Sequence, residues 1–282
     1  MHLQARIPEV SRIYKVYATR LEKLGIRILE DFLYHVPFRY EDYSIISKIS
    51  DVKPGEVTTV QGKITDIKNI YTRRFKIQTA VVEDETGVIN VTWFNQLYIT
   101  KYLKIGDKVS LSGKIDFYKN KVILQSPEFE VISTEPTLHT GRLVPIYPET
   151  RGVSSKWLRR QIYKILNDNR DEIIEYLPEI VISENGLLIL EKAIAQAHFP
   201  ESMEEAARGK GRLSFDELFF LRLSSLTKKK EWEEKFSQKP FDISKYKSEL
   251  DIILKRLPFE LTNAQKRVIE EIFTDLSSDK PM

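Results

Sequence analysis

Hydrophobic positions follow two different periods along this chain. Val10, Ile13, Tyr14, Val16, Tyr17 and Leu21 recur at helical spacing behind Pro8, and Gly25 reads as the stop. A second helix is predicted from Ile28 to His35, ending before Pro37, with PFRYEDYS as an irregular, aromatic-rich exit. From residue 51 to 134 the period drops to two. Strands are expected around Val57–Ile67, Phe75–Glu83, Val88–Phe94, Val109–Phe117 and Lys121–Gln125, with a turn at Glu83–Gly87 and a short helix over Asn95–Leu103. Five strands with a small helix after the third are the signature of an OB-fold barrel. The following region, to about residue 210, reads as a connector: extended at Pro136, Pro145 and Pro148, then helical over Ser154–Asn167 and Leu187–Ala197. The polar run Arg208–Arg212 is expected to precede a long helix opening at a Ser214/Glu217 capping box, with Leu213 and Leu218 as its hydrophobic staple. The last segment, Leu257–Met282, reads as an extended piece and one more helix.

Composition narrows the function classes. Of 282 residues, 41% are hydrophobic and 30% charged, enough to bury a core. The formal net charge is only +3, so a nucleic-acid site requires local clustering of Lys and Arg. No cysteine is present, which excludes disulfides, a Cys-based zinc site and a thiol nucleophile, and fits a reducing cytoplasm. Four scattered histidines point to no metal centre. No apolar run has the length of a membrane span. The phosphate-binding pattern GxxxxGK[ST] does not occur: Gly62-Lys63 and Gly113-Lys114 are each followed by isoleucine and lie in predicted strands.

Candidate chemistry concentrates in the predicted barrel. Lys63, Lys68, Arg73, Arg74 and Lys76 stand against a single acid, Asp66, with Tyr71 and Phe75 interleaved. Cations neutralise phosphates and ring faces accept bases, so the pattern suits a strand-binding groove. Lys119 and Lys121 repeat the chemistry in the last hairpin. The same residues also suit a solvated hairpin tip guarded by lysines. In the strand ending at WF, Ile89, Val91 and Trp93 share one face, which makes Trp93 a core residue and places Phe94 on the wet face. A helix starting near Asn95 would bring Tyr98 beside Phe94, four residues on. Two such rings either stack on bases or pack the helix onto the barrel. At the C-terminal end, Thr262 and Gln265 form a capping box that explains both residues without a ligand.

Four stretches together resemble the RecG family of ATP-dependent DNA helicases: LGIRILEDFLYHVPFRYEDYS, VTWFNQLYITKYLKIGDKVSLSGKI, RLVPIYPETRGVSSKWLRRQI and FELTNAQKRVIEEIFTDLSSDKPM. The resemblance covers nearly the whole chain. It implies an α+β architecture: an N-terminal helical segment (1–49), an OB-fold wedge domain (50–134), a helical connector (135–257) and the first helix of a RecA-like motor domain (258–282). It implies a wedge that inserts at a DNA branch point, with Phe94 and Tyr98 stacking on the first unpaired bases. Phe259 and Gln265 correspond to a Q-motif that contacts adenine in related helicases. The departure from the family pattern is truncation, since the chain stops where the family leads into its nucleotide loop.

The expectation is therefore the branched-DNA-binding part of a helicase that drives branch migration and fork reversal. It would carry no catalytic residue, metal or cofactor of its own, whereas a full-length parent would use ATP and Mg²⁺. Expected partners are replication forks and Holliday junctions, with single-strand-binding protein as a further candidate, no membrane, and a monomeric state in the cytoplasm. The alternatives are a non-catalytic single-stranded-DNA-binding OB protein and an OB-type protein-interaction module.

Overall fold

A computed structural model describes residues 2–71, 76–118, 121–133, 137–235 and 240–278. The chain divides into two compact units, 1–214 and 215–282. In the first unit the elements in order are α1 (Ile7–Val10), α2 (Arg12–Glu22), α3 (Asp31–Tyr34), β1 (Arg39–Asp42), β2 (Val57–Tyr71), β3 (Lys76–Glu83), β4 (Val88–Phe94), α4 (Ile99–Tyr102), β5 (Lys108–Tyr118), β6 (Lys121–Gln125), β7 (Glu128–Val131), β8 (Leu143–Ile146), α5 (Ser155–Asp168), α6 (Glu179–Glu184) and α7 (Leu190–His198). The long helix α8 (Met203–Lys235) runs on into the second unit, which also holds α9 (Lys247–Lys255) and α10 (Asn263–Leu276).

The first unit has two hydrophobic cores. The barrel core is the alternating set Val60, Ile64, Ala80, Val82, Ile89, Val91, Trp93, Val109, Leu111, Ile115 and Leu124, closed at one end by Ile99 and Leu103 around α4. The sheet runs β2-β3-β4-β6-β5-β7, and β2 also pairs with β5, so the strands close on themselves in OB order, with α4 after the third barrel strand. A single strand, β2, makes both seams: Val57–Lys63 pairs with β5, and Lys63–Tyr71 with β3. Gly62 sits at this corner because a Cβ there would lie 2.5 Å from the Glu83 carbonyl oxygen. Closure also leaves fewer exposed strand edges.

The second core draws on both sides of the barrel in sequence. Tyr14, Leu21, Leu29, Phe32 and Leu33 pack with Tyr147, Leu158, Ile162, Ile165, Leu190 and Ile194. The strand pair β1–β8 joins the two segments, Arg39 to Asp42 opposite Ile146 to Leu143. The PFRYEDYS stretch, expected to be irregular, is thus a strand in part, because its partner lies about a hundred residues away and leaves no local signal. The predicted helix Ile28–His35 shrinks to Asp31–Tyr34: Ile28 bridges to Arg6, and the Asp31 carboxylate accepts the backbone N–H groups of Arg27 and Ile28 at 2.6 and 3.0 Å. On α2, only Tyr14 and Leu21 of the expected apolar stripe are buried; Ile13 and Val16 stay exposed.

The expected break before Ser214 is absent, since α8 is continuous from Met203. Its opening is instead Ser202, whose Oγ accepts the Glu205 N–H at 3.2 Å. Gly209 is a packing residue, not a breaker: a Cβ there would fall 2.5–2.6 Å from Ala197 N and Ala193 O of α7, so the two helices meet backbone to backbone. Arg212, fully buried, is held by both Glu175 carboxylate oxygens at 2.9 and 2.7 Å. Burial works against the Glu175 carboxylate, but the bonds from Arg212 and from the Leu177 and Leu190 N–H groups prevail and hold it at about 2.

Two buried histidines make the fold acid-sensitive. His198 lies between the Tyr147 hydroxyl (2.9 Å) and the Leu33 carbonyl (2.8 Å), and burial lowers its pKa to about 4. His139 is lowered to about 2, first by burial and then by the Arg159 charge. A folded pKa below the unfolded value near 6.5 means the unfolded chain binds more protons. The stabilisation is complete above pH 6.5 and is lost as pH falls toward the folded values, with His198 alone contributing about 3 kcal/mol. Urea unfolding should therefore show a marked loss of stability between pH 7.5 and 4.5, a window above the titration of the Asp84 and Glu175 carboxylates, both held at about 2. A flat profile there would mean that these imidazoles are not buried neutral.

Candidate nucleic-acid interface

The outer face of the barrel is assembled by strand register. Ile70 lies opposite Ile77, and Ile77 opposite Phe94, which makes an apolar row across β2, β3 and β4. The next row is Lys68, Thr79 and Thr92, continued by Gln125 on β6. Lys63 and Lys68 are five residues apart, so simple alternation would put them on opposite faces. A bulge between Ile64 and Asp66 adds one residue and returns both to the outside. Lys121, opposite Tyr118 at the start of β6, is exposed, as is Lys76, opposite Tyr71 at the hairpin end. Lys68 carries an exposed ion pair with Asp66 at 2.9 Å, an interaction that a phosphate can replace at little cost. Arg73, Arg74 and Lys119 lie outside the described residues.

Trp93 and Phe94 part company as alternation requires. Trp93 is 0% exposed, meets Phe129 edge-on at 6.2 Å, and donates its indole N–H to the Pro127 carbonyl at 2.9 Å. Phe94 is 37% and Tyr98 49% exposed. The route between them differs from the expected one. The helix begins at Ile99, not near Asn95, which adopts a left-handed φ of 58°. Asn95 exchanges bonds with Lys76, its N–H to the Lys76 carbonyl at 2.7 Å and its Oδ1 from the Lys76 N–H at 3.2 Å. A local turn locked onto β3, and not a helical i,i+4 relation, therefore sets the position of Tyr98.

Gln78, which sequence reasoning passed over, anchors that turn. It is fully buried inside the barrel, accepts the Gln96 N–H at 2.8 Å and donates to Asn69 at 3.2 Å; Asn69 in turn bonds Thr100 on α4 at 3.1 Å. Its signal was an amide at an inward position of an apolar strand, where a buried polar group must find partners. Gln96 also accepts the Tyr98 hydroxyl at 2.7 Å. Burial, then the Glu128 charge, raises the Tyr98 pKa, so the phenol stays neutral. Tyr102 was missed too: it is 69% exposed and its ring meets Tyr98 edge-on at 6.2 Å.

In the second unit, Thr262 and Gln265 form the expected capping box at the start of α10, and Phe259 is exposed. Gln265 Oε1 accepts from Thr262 N at 2.9 Å. Among the described residues no acidic or histidine cluster could hold a metal, and no helix is long and apolar enough to cross a membrane.

The RecG wedge domain family model matches residues 10–169. The ATP-dependent DNA helicase RecG of Thermotoga maritima is 35% identical over 269 residues, covering 93% of this chain and 34% of that protein. The Synechocystis protein of the same name is 31% identical, covering 93% and 33%. A solved structure of RecG bound to a three-way DNA junction superposes with a TM-score of 0.72 at 33% identity, covering 100% of this chain and 38% of that one. The chain thus spans about a third of the length of the relatives it matches.

Proposed function

Because this chain belongs to the RecG family, we propose that it binds branched DNA as a passive wedge, with residues 50–134 dividing the strands at the branch point. The observation that carries the reading is the outer barrel face, where two partly exposed rings, Phe94 and Tyr98, stand beside exposed lysines on a closed, rigid scaffold. Rings accept unpaired bases, lysines take the flanking phosphates, and the barrel cannot yield when duplex is driven against it. Lys63, Lys68, Lys76 and Lys121 supply phosphate contacts, joined on sequence grounds by Arg73, Arg74 and Lys119. In a protein carrying the remaining length of the relatives, ATP and Mg²⁺ would power translocation, branch migration and fork reversal. Phe259 and Gln265 would then sit against adenine. The same reading assigns residues 1–49 and 135–257 to the support of the wedge and 258–282 to the start of a motor domain. It makes the protein a cytoplasmic monomer that meets forks, Holliday junctions and single-strand-binding protein.

Salt dependence tests the phosphate contacts. Lys68→Ala and Lys121→Ala should each weaken binding to every DNA sequence alike. Each should also flatten the plot of log K against log salt by about 0.7–0.9 for every phosphate no longer neutralised. An unchanged slope would move the DNA face elsewhere on the barrel.

A further inference from the structure

We propose that a second binding site, a groove between α4, β7 and α5, receives one unpaired DNA arm after it leaves Tyr98. The inference rests on the wedge reading and extends it. The groove has a volume of about 840 Å³ and is lined by Tyr102, Phe129, Arg160, Tyr163, Lys164 and Asn167. Tyr102 lines the groove and is in edge contact with Tyr98, so the Tyr98 ring adjoins it. Arg160, Lys164 and Asn167 fall four and three residues apart on α5 and share one face. Neither Arg160 nor Lys164 is paired with a carboxylate among the described residues. Arg160 is aimed by its Nε–H, which bonds His139 Nε2 at 3.2 Å.

The lining carries two acids, Glu130 and Asp168, the second exposed and about one helical turn beyond Lys164. Glu130 is occupied as an acceptor for the Leu138 and His139 N–H groups and the Thr140 hydroxyl. Behind the wall, Lys156 sits 4.1 Å from the Phe129 ring centroid, and Arg159 is buried beside His139. Aromatic faces interleaved with cations along a groove match a single strand, whose bases stack and whose phosphates need neutralising; paired duplex offers no free base faces.

The test uses this chain and two forks that differ in one arm, either duplex to the branch or carrying about ten unpaired dT nucleotides, made with each strand polarity. The unpaired arm should tighten binding for one polarity. Tyr102→Ala and Lys164→Glu should each remove about fivefold or more of that gain, and Tyr102→Phe should keep it. The fork without an unpaired arm should bind all variants equally. Both side chains are exposed, so melting should not change. If the unpaired arm gives no gain, if the gain survives both substitutions, or if both forks weaken alike, the groove assignment is wrong. The wedge reading fails separately, when the unsubstituted chain binds forks no better than plain duplex.

Discussion

Phe94→Ala and Tyr98→Ala should each weaken fork binding by roughly five- to 150-fold, the equivalent of about 1–3 kcal/mol per stacked base. Fully paired duplex should bind nearly as before, because no base face is free to meet the rings. The stacking is what the family resemblance implies; that the substitutions spare the fold follows from geometry. Phe94 ends β4 on the outer face, and Tyr98 is held by a turn whose bonds run to Gln78, Asn95 and Lys76 rather than through its own ring. Removing the phenol therefore leaves the turn intact apart from one bond to Gln96. Fork, duplex and single-strand titrations at one salt concentration decide among the readings. Equal losses of affinity for fork and duplex would remove these rings from the branch point. A preference for plain single strands over forks would instead favour a simple single-strand-binding OB protein. Indifference to all three DNAs would favour a protein-interaction module.

Trp93→Ala, one residue away, should behave in the opposite manner and cost about 3–5 kcal/mol of stability, through reduced burial and the cavity left behind. The indole fills the barrel among Ile89, Val91, Val109, Leu111 and Phe129. Its removal also leaves the Pro127 carbonyl without its donor. Trp93→Phe should recover part of the packing but not the hydrogen bond. Urea unfolding of the three proteins gives the comparison, with Phe94→Ala as the outward-facing control. A Trp93→Ala protein as stable as the parent, or a Phe94→Ala protein as unstable as Trp93→Ala, would reverse the assignment of inner and outer faces.

Sequence periodicity was informative wherever one local rule acted alone. Alternation placed Trp93 inside and Phe94 outside, since inward positions exclude water and successive strand residues point apart. The Thr262/Gln265 box depends on four consecutive residues and appears as expected. The five barrel strands and the helix after the third were legible because each carries its own period. Resemblance, not periodicity, supplied the idea of a branch-point wedge.

Other features depend on partners distant in sequence. The Ser214/Glu217 pattern looks like a helix start, yet α8 passes through it, because Gly209 packs backbone to backbone against α7 and Arg212 reaches Glu175. Here tertiary contacts override a local capping preference worth about 1 kcal/mol. Strand β1 exists only because β8 pairs with it. Lys63 and Lys68 share a face only through the bulge after Ile64.

By itself, then, the sequence determined which residues are inner and outer on the strand ending at Phe94 and where the last helix starts, because these follow from the geometry of neighbouring residues. Only the tertiary structure decided how Tyr98 is carried, through a left-handed Asn95 and a buried Gln78, and that Tyr102 lines the α5 groove. Those positions are fixed by hydrogen bonds and packing between strands, turns and helices that no local period records.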